Sequence, residues 1–190
     1  TIIAAVFAGA LMSFSVATSS IWTSDAGHSR LGFTVKHLGI SDFNGSFDSY
    51  EVKMTGTKED LSDAKIELSG DATSINTGNE MRDGHLKSAD FFDVEKFPKF
   101  TFESTSIKKG KGKGEFTVTG NLTMHGVTKA VNLKATKGGV VTHPMTKKQV
   151  TAFKLTGSFK RSDFGIGSTT PEAIVGDVVN VISDLELVQE

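Results

Sequence analysis

The sequence predicts an all-β protein, an extended eight-stranded antiparallel β-barrel with one short helix covering an end. Eight stretches show apolar residues at every second position, which is the periodicity of a half-buried strand. Twenty glycines and only three prolines are typical of a chain with many tight turns. Phenylalanine supplies 14 of the 16 aromatic residues, and since its ring has no polar group these rings indicate a dry interior.

The alternating stretches follow one another along most of the chain. They cover residues 30–37, 43–54, 64–75, 99–107, 113–124, 127–136, 149–161 and 176–188. The second stretch changes phase near Asp48 and Ser49, which predicts a β-bulge there. Antiparallel strands of about ten residues close into a barrel more readily than they pack as two sheets.

One helix is predicted between the third and fourth strands, over residues 79–89. Met81, Leu86 and Ala89 have helical spacing, and either Thr77 or Asn79 can cap the start. A helix inserted at this point must cover an end of the barrel. The glycine- and lysine-rich segment 108–114 is interpreted as a hairpin loop, because the strand–loop–helix context of a phosphate-binding loop is missing.

The first residues read as a targeting segment rather than as part of the fold. Residues 1–16 are almost wholly apolar, and small residues follow them. We interpret residues 1–17 as a secretory signal peptide, truncated at its start, with processing between Ala17 and Thr18. Residues 18–190 then form a single domain, and the mature protein is expected to be periplasmic or secreted. A buried N-terminal helix is the alternative.

The composition argues against several classes of function. Cysteine is absent, which excludes disulfides, thiolate nucleophiles and a lipoprotein anchor. The net charge of −1 does not favour a nucleic-acid partner, although residues 1–95 are acidic and residues 96–190 basic. The five histidines show no metal-binding spacing, and there is no G-x-S-x-G nucleophile motif. Neither a catalytic residue nor a metal ligand is predicted, and a metal site or hydrolase built from distant strands is the less favoured alternative.

The inward faces of the predicted strands, with the two rings after the helix, define the candidate apolar site. A barrel of eight strands can enclose one small ligand. The ten residues predicted to line such a tunnel are Phe33, Val35, Phe47, Phe91, Phe92, Phe100, Phe102, Phe116, Phe153 and Phe159.

Three polar residues are predicted to lie near one end of this tunnel and to receive a polar or anionic headgroup. His37 is the last inward residue of its strand, whereas Arg82 and His85 are three residues apart and share a helix edge. Arg82 brings a permanent charge, and His85 adds one only when it is protonated. The alternatives are a satisfied core histidine at His37 and an Arg82 neutralised by Asp83. A local ion pair at a bend is the expectation for Arg161 and Asp163.

An ordered series of motifs resembles the YceI-like family of polyisoprenoid-binding proteins. The order and spacing match from Trp22 to the C-terminus. Two departures are Phe97, where the family often has tyrosine, and the loop 138–148, which matches poorly. The motifs are Trp22-x-x-Asp25-x-x-His28-Ser29, Phe33-x-Val35-x-His37, Gly45-x-Phe47, residues 82–93, Phe97-Pro98, Phe100-x-Phe102-x-Ser104, residues 120–128 and Arg161-x-Asp163-Phe164-Gly165.

The resemblance implies a lipocalin-like extended barrel with a long apolar tunnel, an isoprenoid lipid or quinone-like ligand, and frequent homodimers. It implies no catalytic residue and no cofactor besides the bound lipid. The expected function is therefore to carry or sequester a long-chain isoprenoid in the cell envelope without catalysis, with transient membrane contact. An envelope structural or signalling module with an incidental pocket is the second hypothesis, and a lipid-modifying enzyme is the third.

Overall fold

The computed structural model describes residues 19–190, so the predicted signal peptide, residues 1–17, lies outside the described residues. No helix among the described residues is long and apolar enough to cross a membrane. The helix α1 spans Glu80–Lys87. The strands are β1 (Ser20–Ser24), β2 (Leu31–His37), β3 (Ser41–Phe47), β4 (Tyr50–Gly56), β5 (Lys65–Asp71), β6 (Ile75–Asn76), β7 (Lys99–Lys109), β8 (Glu115–Met124), β9 (Val127–Thr142), β10 (Gln149–Lys160) and β11 (Val175–Gln189).

Eight of these strands close into an antiparallel barrel. Their order is β1–β4–β5–β7–β8–β9–β10–β11, and β1 pairs again with β11 to complete the ring. Every pairing between these neighbours is antiparallel. The predicted fold class, an eight-stranded antiparallel barrel with one short helix, is confirmed.

The long strand β11 explains how three further strands attach to the ring. Its C-terminal part pairs with β1 through Ser24 and Leu187, and its N-terminal part pairs with β2 through Phe33 and Val181. Consequently β1 and β2 lie end to end along one edge of β11. Strands β3 and β4 run opposite them. The single strand predicted over residues 43–54 with a bulge at Asp48 and Ser49 is instead divided there into β3 and β4, because the two parts pair with different strands. The short strand β1 has no counterpart among the eight predicted strands.

The helix α1 is held by its ends rather than by a buried face. The side chain of Asn79 accepts a hydrogen bond from the Arg82 backbone N–H at 3.0 Å, which is the predicted N-cap. None of the helical residues is buried. Leu86 is the helical residue whose side chain lines the barrel interior. Phe91 and Phe92, in the turn after the helix, line it as well.

Three phenylalanine rings lie flat against glycines of neighbouring strands. Gly70 pairs directly with Phe100, and a Cβ added at Gly70 would lie 2.2 Å from the ring. A Cβ at Gly120 would lie 2.3 Å from the ring of Phe102, and Gly45 has the same relation to Phe33 at 2.4 Å. These rings therefore occupy space that any side chain larger than hydrogen would take.

Candidate functional site: an apolar cavity inside the barrel

The barrel encloses a cavity of about 190 Å³. Its walls come from all eight barrel strands except β1, together with β2, β3, β6 and the connecting segments. Apart from Gly32 and Arg161, every side chain that lines it is aliphatic, aromatic or methionine. An apolar cavity of this kind excludes water and favours a hydrocarbon guest.

All ten residues predicted for the apolar tunnel lie around this one cavity. Phe102 is 6% exposed, in agreement with its assignment to the inward face of β7. Phe91 and Phe92 reach the cavity from the turn after α1, as the position of the helix suggests. Whether these ten side chains bind a ligand stays a prediction.

Four of the rings form a cluster centred on Phe47. Its centroid lies 4.5 Å from that of Phe100 and 5.7 Å from those of Phe33 and Phe92. The Phe92 ring stands perpendicular to the Phe47 ring, a favourable edge-to-face arrangement. Phe47 and Phe100 are buried, whereas Phe33 and Phe92 are only partly buried.

Aliphatic side chains make up much of the remaining wall, and the choice of candidates by ring content passed over them. The same alternation that selects the phenylalanines would have found them, since each occupies an inward position of a strand. Those on β8, β10 and β11 are Val118, Leu122, Leu155, Val175, Val179, Val181, Leu185 and Leu187.

Arg161 is the one charged residue among those that line the cavity. It is 6% exposed, and its guanidinium donates to five backbone carbonyls. The acceptors, at 2.6–3.3 Å, are the carbonyls of Ile166, Gly167, Thr170, Val175 and Gly176. A guanidinium has five N–H donors, so none remains for a guest. The expected ion pair with Asp163 is wrong, because Asp163 is exposed and Arg161 instead fastens the β10–β11 connection.

The three predicted polar residues lie beside the cavity but do not line it. His37 is exposed and pairs in register with Val175, a lining residue. Arg82 lies over the ring of Phe43 at 3.9 Å, and Phe43 pairs with the lining residue Val35. His85 is also exposed.

His85 makes two contacts of its own: it packs edge-on against Phe91 at 5.1 Å, and its Nε2 lies 3.3 Å from an oxygen of Asp90. His37 and His85 are thus each next to a residue of the wall, whereas Phe43 lies between Arg82 and the wall. The role of these three polar side chains toward a headgroup stays a prediction.

Arg82 differs from Arg161 in having donors to spare. Its Nε donates to Thr77 Oγ1 and one Nη2 hydrogen to the Thr77 carbonyl, both at 2.9 Å. Asp83 accepts from the backbone N–H and hydroxyl of Thr77. Among the described residues Arg82 and Asp83 form no ion pair. Three N–H groups of Arg82 therefore have no partner in the described part of the chain.

Asp25 and His28 of the β1–β2 connection form a second polar group with Glu186 of β11, and their ligand-type atoms lie within 4.8 Å of one another. Asp25 accepts from His28 Nδ1 at 3.0 Å and from the Gly27 N–H at 2.8 Å. The hydrogen bond with His28 is the main reason that the pKa of Asp25 lies below its ordinary value. These hydrogen bonds stabilise the turn that joins β1 to β2.

We expect the pKa of His28 to lie above its ordinary value of 6.5, because Asp25 accepts its hydrogen bond and Glu186 adds negative charge. The ion pair is fully formed below His28's ordinary pKa and is lost as the pH rises through the raised one. At the acid limit it is lost as Asp25 becomes protonated. NMR titration of the imidazole C–H signals measures this, and Asp25→Asn should bring the His28 pKa down toward 6.5. Asp90→Asn is the control. If it lowered the pKa of His28 as much as Asp25→Asn does, the raised pKa could not be assigned to Asp25.

A closed antiparallel barrel around an apolar cavity places this protein among the barrels that enclose their site inside the sheet. The family model described as the YceI-like domain matches residues 22–187. The chain belongs to the YceI-like family. The UPF0312 protein SA2479 of Staphylococcus aureus strain N315 is 41% identical over 145 residues, which cover 76% of this chain and 81% of the relative.

Two solved structures extend the comparison. The YCEI protein of Campylobacter jejuni is similar with a TM-score of 0.72 at 32% sequence identity, covering 82% of this chain and 90% of the other. A polyisoprenoid binding domain from Saccharophagus degradans, implicated in plant cell wall breakdown, has a TM-score of 0.63 at 17% identity. That similarity covers 89% of this chain and 98% of the domain, and at this identity it concerns the fold.

Proposed function

We propose that this protein binds a long-chain isoprenoid lipid, polyprenyl or quinone-like, inside the barrel and carries or sequesters it in the cell envelope. The observation that carries the proposal is the composition of the cavity wall, which is apolar except for one arginine whose donors are all used. A guest with polar groups along its length would lose hydrogen bonds to water and gain none there. A branched hydrocarbon chain makes no hydrogen bonds to water, so it loses none on entering the cavity.

The size of the cavity supports a guest that fills it by displacing rings. At about 190 Å³ it exceeds the roughly 150 Å³ void that is known to take up benzene. A longer prenyl chain needs additional space, and we expect the rings of Phe33, Phe92 and Phe159, which are only partly buried, to be the ones that move to supply it. Phenylalanine also offers flat faces to the double bonds and methyl groups of an isoprenoid.

The headgroup is proposed to lie at the end of the cavity marked by His37, Arg82 and His85. The free donors of Arg82 suit a phosphate or a quinone oxygen, because a guanidinium can give two parallel hydrogen bonds to such a group. Arg161 has no donor left for this purpose. The lipid would therefore lie with its chain among the phenylalanines and its polar end beside Phe43.

The name of the Saccharophagus degradans domain and the family resemblance support isoprenoid binding over catalysis. Among the described residues that line the cavity there is no histidine, serine or carboxylate to act as acid, base or nucleophile. Export, inferred from residues 1–17, and a homodimer, implied by the resemblance, complete the proposal. N-terminal sequencing of the native protein and analytical ultracentrifugation test these two parts.

Solvent extraction of protein purified from its native source, followed by mass spectrometry, tests the ligand. We expect an isoprenoid in stoichiometric amount. An empty extract would favour the structural or signalling module, and conversion of added lipid to a new product would favour the enzyme. Reloading the extracted protein with a defined polyprenyl phosphate or quinone provides the control that extraction leaves the barrel intact.

Arg82→Gln tests the headgroup end. Because glutamine keeps a hydrogen-bond donor on a shorter side chain but removes the charge, we expect retention of a polyprenyl phosphate to fall roughly tenfold, the effect of losing one charge-assisted contact. Retention of an uncharged quinone and the melting temperature should change little. Lys87→Gln removes a neighbouring charge on α1 as the control. Equal loss of both ligands together with a lower melting temperature would show that Arg82 is structural.

A further inference from the structure

The β9–β10 hairpin extends past β8. The last pair between β8 and β9 joins Glu115 to Thr136, and beyond it β9 pairs with β10 alone as far as Thr142 and Gln149. Residues 138–148, here called the hairpin tip, therefore comprise the free edge at the end of β9 and the turn that follows, while β10 stays paired with β11 as far as Val150. The hairpin tip is continuous with the cavity wall, since Ala135 and Phe153 both line the cavity.

The hairpin tip exposes a group of apolar side chains on an ordered turn. Val140 and Val141 are exposed, and Met145 is 82% exposed. The turn is fixed by His143, whose Nδ1 accepts from the backbone N–H groups of Met145 and Thr146 at 3.3 and 3.1 Å. Single exposed apolar residues are common on proteins, but a group of them at the end of a hairpin marks an interaction surface.

The surroundings of the hairpin tip are strongly basic. From Lys108 to Lys148 the sequence contains nine lysines and one acidic residue, Glu115, and all of these lysines except Lys129 and Lys134 lie in or next to the two hairpin turns. The lysine-rich β7–β8 turn lies beside the tip, because the Lys137 N–H donates to the Gly114 carbonyl at 2.8 Å. None of these nine lysines forms an ion pair within the described residues.

The acidic side chains at this end include Glu115, Glu190 and those of the β4–β5 loop, and two carboxylates of that loop accept hydrogen bonds from the loop backbone. Asp60 accepts from the Ser62 N–H, and Asp63 accepts from the N–H groups of Thr57 and Lys58. Glu59 and Lys58 are the other charged groups of this loop. The lysines of the two hairpins therefore outnumber the acidic groups at this end of the barrel.

We propose that the hairpin tip docks the protein on an anionic phospholipid surface. Exposed aliphatic and methionine side chains that enter the headgroup region, ringed by lysines that pair with lipid phosphates, are the combination that binds such a membrane. Nucleic acid would use the lysines but would leave Val140, Val141 and Met145 without a partner. Docked in this way, the barrel brings the end of its cavity at Phe153 close to the bilayer and turns Arg82 away from it.

Co-sedimentation of the full chain with vesicles tests the proposal. We expect binding to equimolar phosphatidylglycerol and phosphatidylcholine, weakening with salt, and little binding to pure phosphatidylcholine. Lys147→Gln/Lys148→Gln should weaken it at least about tenfold, given a factor of about five for each lysine near an anionic surface. Met145→Ser should weaken it severalfold. The apolar residues 1–16 are present in every variant, so differences between variants report on the tip.

Matched controls come from the opposite end of the barrel. Met81 on α1 is 87% exposed, so Met81→Ser changes an equally exposed methionine, and Lys36→Gln/Lys87→Gln removes two charges there. Both should bind vesicles like the unaltered protein. Because the chain has no cysteine, Met145→Cys and Met81→Cys each give a single labelling site, and an environment-sensitive dye should respond to vesicles at position 145 alone.

Equal losses in the tip variants and their controls would overturn the proposal, as would equal binding to neutral vesicles. If Met145→Ser binds like the unaltered protein while the lysine variant is weakened, the tip is a general polyanion site and the lipid proposal fails. The vesicle assay needs no ligand in the cavity. If the membrane proposal fails this test, the function proposed for the cavity is therefore unaffected.

Discussion

Phe102→Asp is expected to abolish both soluble folding and ligand retention. Phe102 is 6% exposed and lines the cavity, where the described neighbours offer no partner for a carboxylate. Burying an unpaired charge costs several kcal/mol or forces the group to take up a proton, and a domain has only about 5–15 kcal/mol of stability to lose. Yield of soluble protein and the far-UV circular dichroism spectrum measure the first effect, and bound lipid after extraction the second.

Thr117→Asp is the matched control for this substitution. Thr117 lies on the outer face of β8, exposed, between Lys108 and Lys134 of the neighbouring strands. The same new charge there should leave folding and lipid content unchanged. A soluble Phe102→Asp protein that keeps its ligand would mean that this face of β7 is not part of the binding site. The milder Phe102→Leu keeps the test informative if the aspartate variant does not fold.

Arg161→Met is expected to lower the free energy of unfolding by about 3–5 kcal/mol, the range seen when one partner of a buried charged network is removed. Methionine preserves the unbranched stem and leaves five backbone carbonyls of the β10–β11 connection without their donors. At about 2–4 °C per kcal/mol for a domain of this size, the melting temperature should fall by roughly 6–20 °C. Thermal and urea unfolding measure the change.

Two companion variants separate the possible causes. Asp163→Asn should cost less than about 1 kcal/mol, because Asp163 is exposed and is not bonded to Arg161. Arg161→Lys should remain destabilised despite its charge, since one ammonium cannot reach carbonyls arranged around a planar fork. If Asp163→Asn lowered the free energy of unfolding as much as Arg161→Met, a local ion pair between Arg161 and Asp163 would explain the role of Arg161.

The barrel and its apolar interior could be predicted from the sequence because both depend on alternation. A residue at every second position of a strand faces the same side, so eight of the ten candidate wall residues follow once the strands are placed, and Phe91 and Phe92 follow from the helix. The phase change at Asp48 is likewise visible in the pattern. The strand β1 could not be found this way, because five residues are too few to establish a period.

Contacts between residues distant in the chain could not be predicted from the pattern. Arg161 shares a face with Phe153 and Phe159, which indicated an inward position, but the acceptors of its guanidinium depend on how residues 166–176 fold back. The stacking of Arg82 on Phe43 joins a helix to a strand 39 residues earlier. Such contacts depend on three-dimensional closure, which a period of two or 3.6 residues does not contain.

Phe100 packs flat on Gly70 and Phe102 packs flat on Gly120, so the width of the cavity depends on two positions that have no side chain. A single methyl group at either glycine would tilt the overlying ring into the cavity. The cavity would then be narrower although no residue that faces the ligand had changed. Selection for a thinner or thicker guest could therefore act on these glycines in the wall. Relatives with identical rings could differ in the lipids they admit.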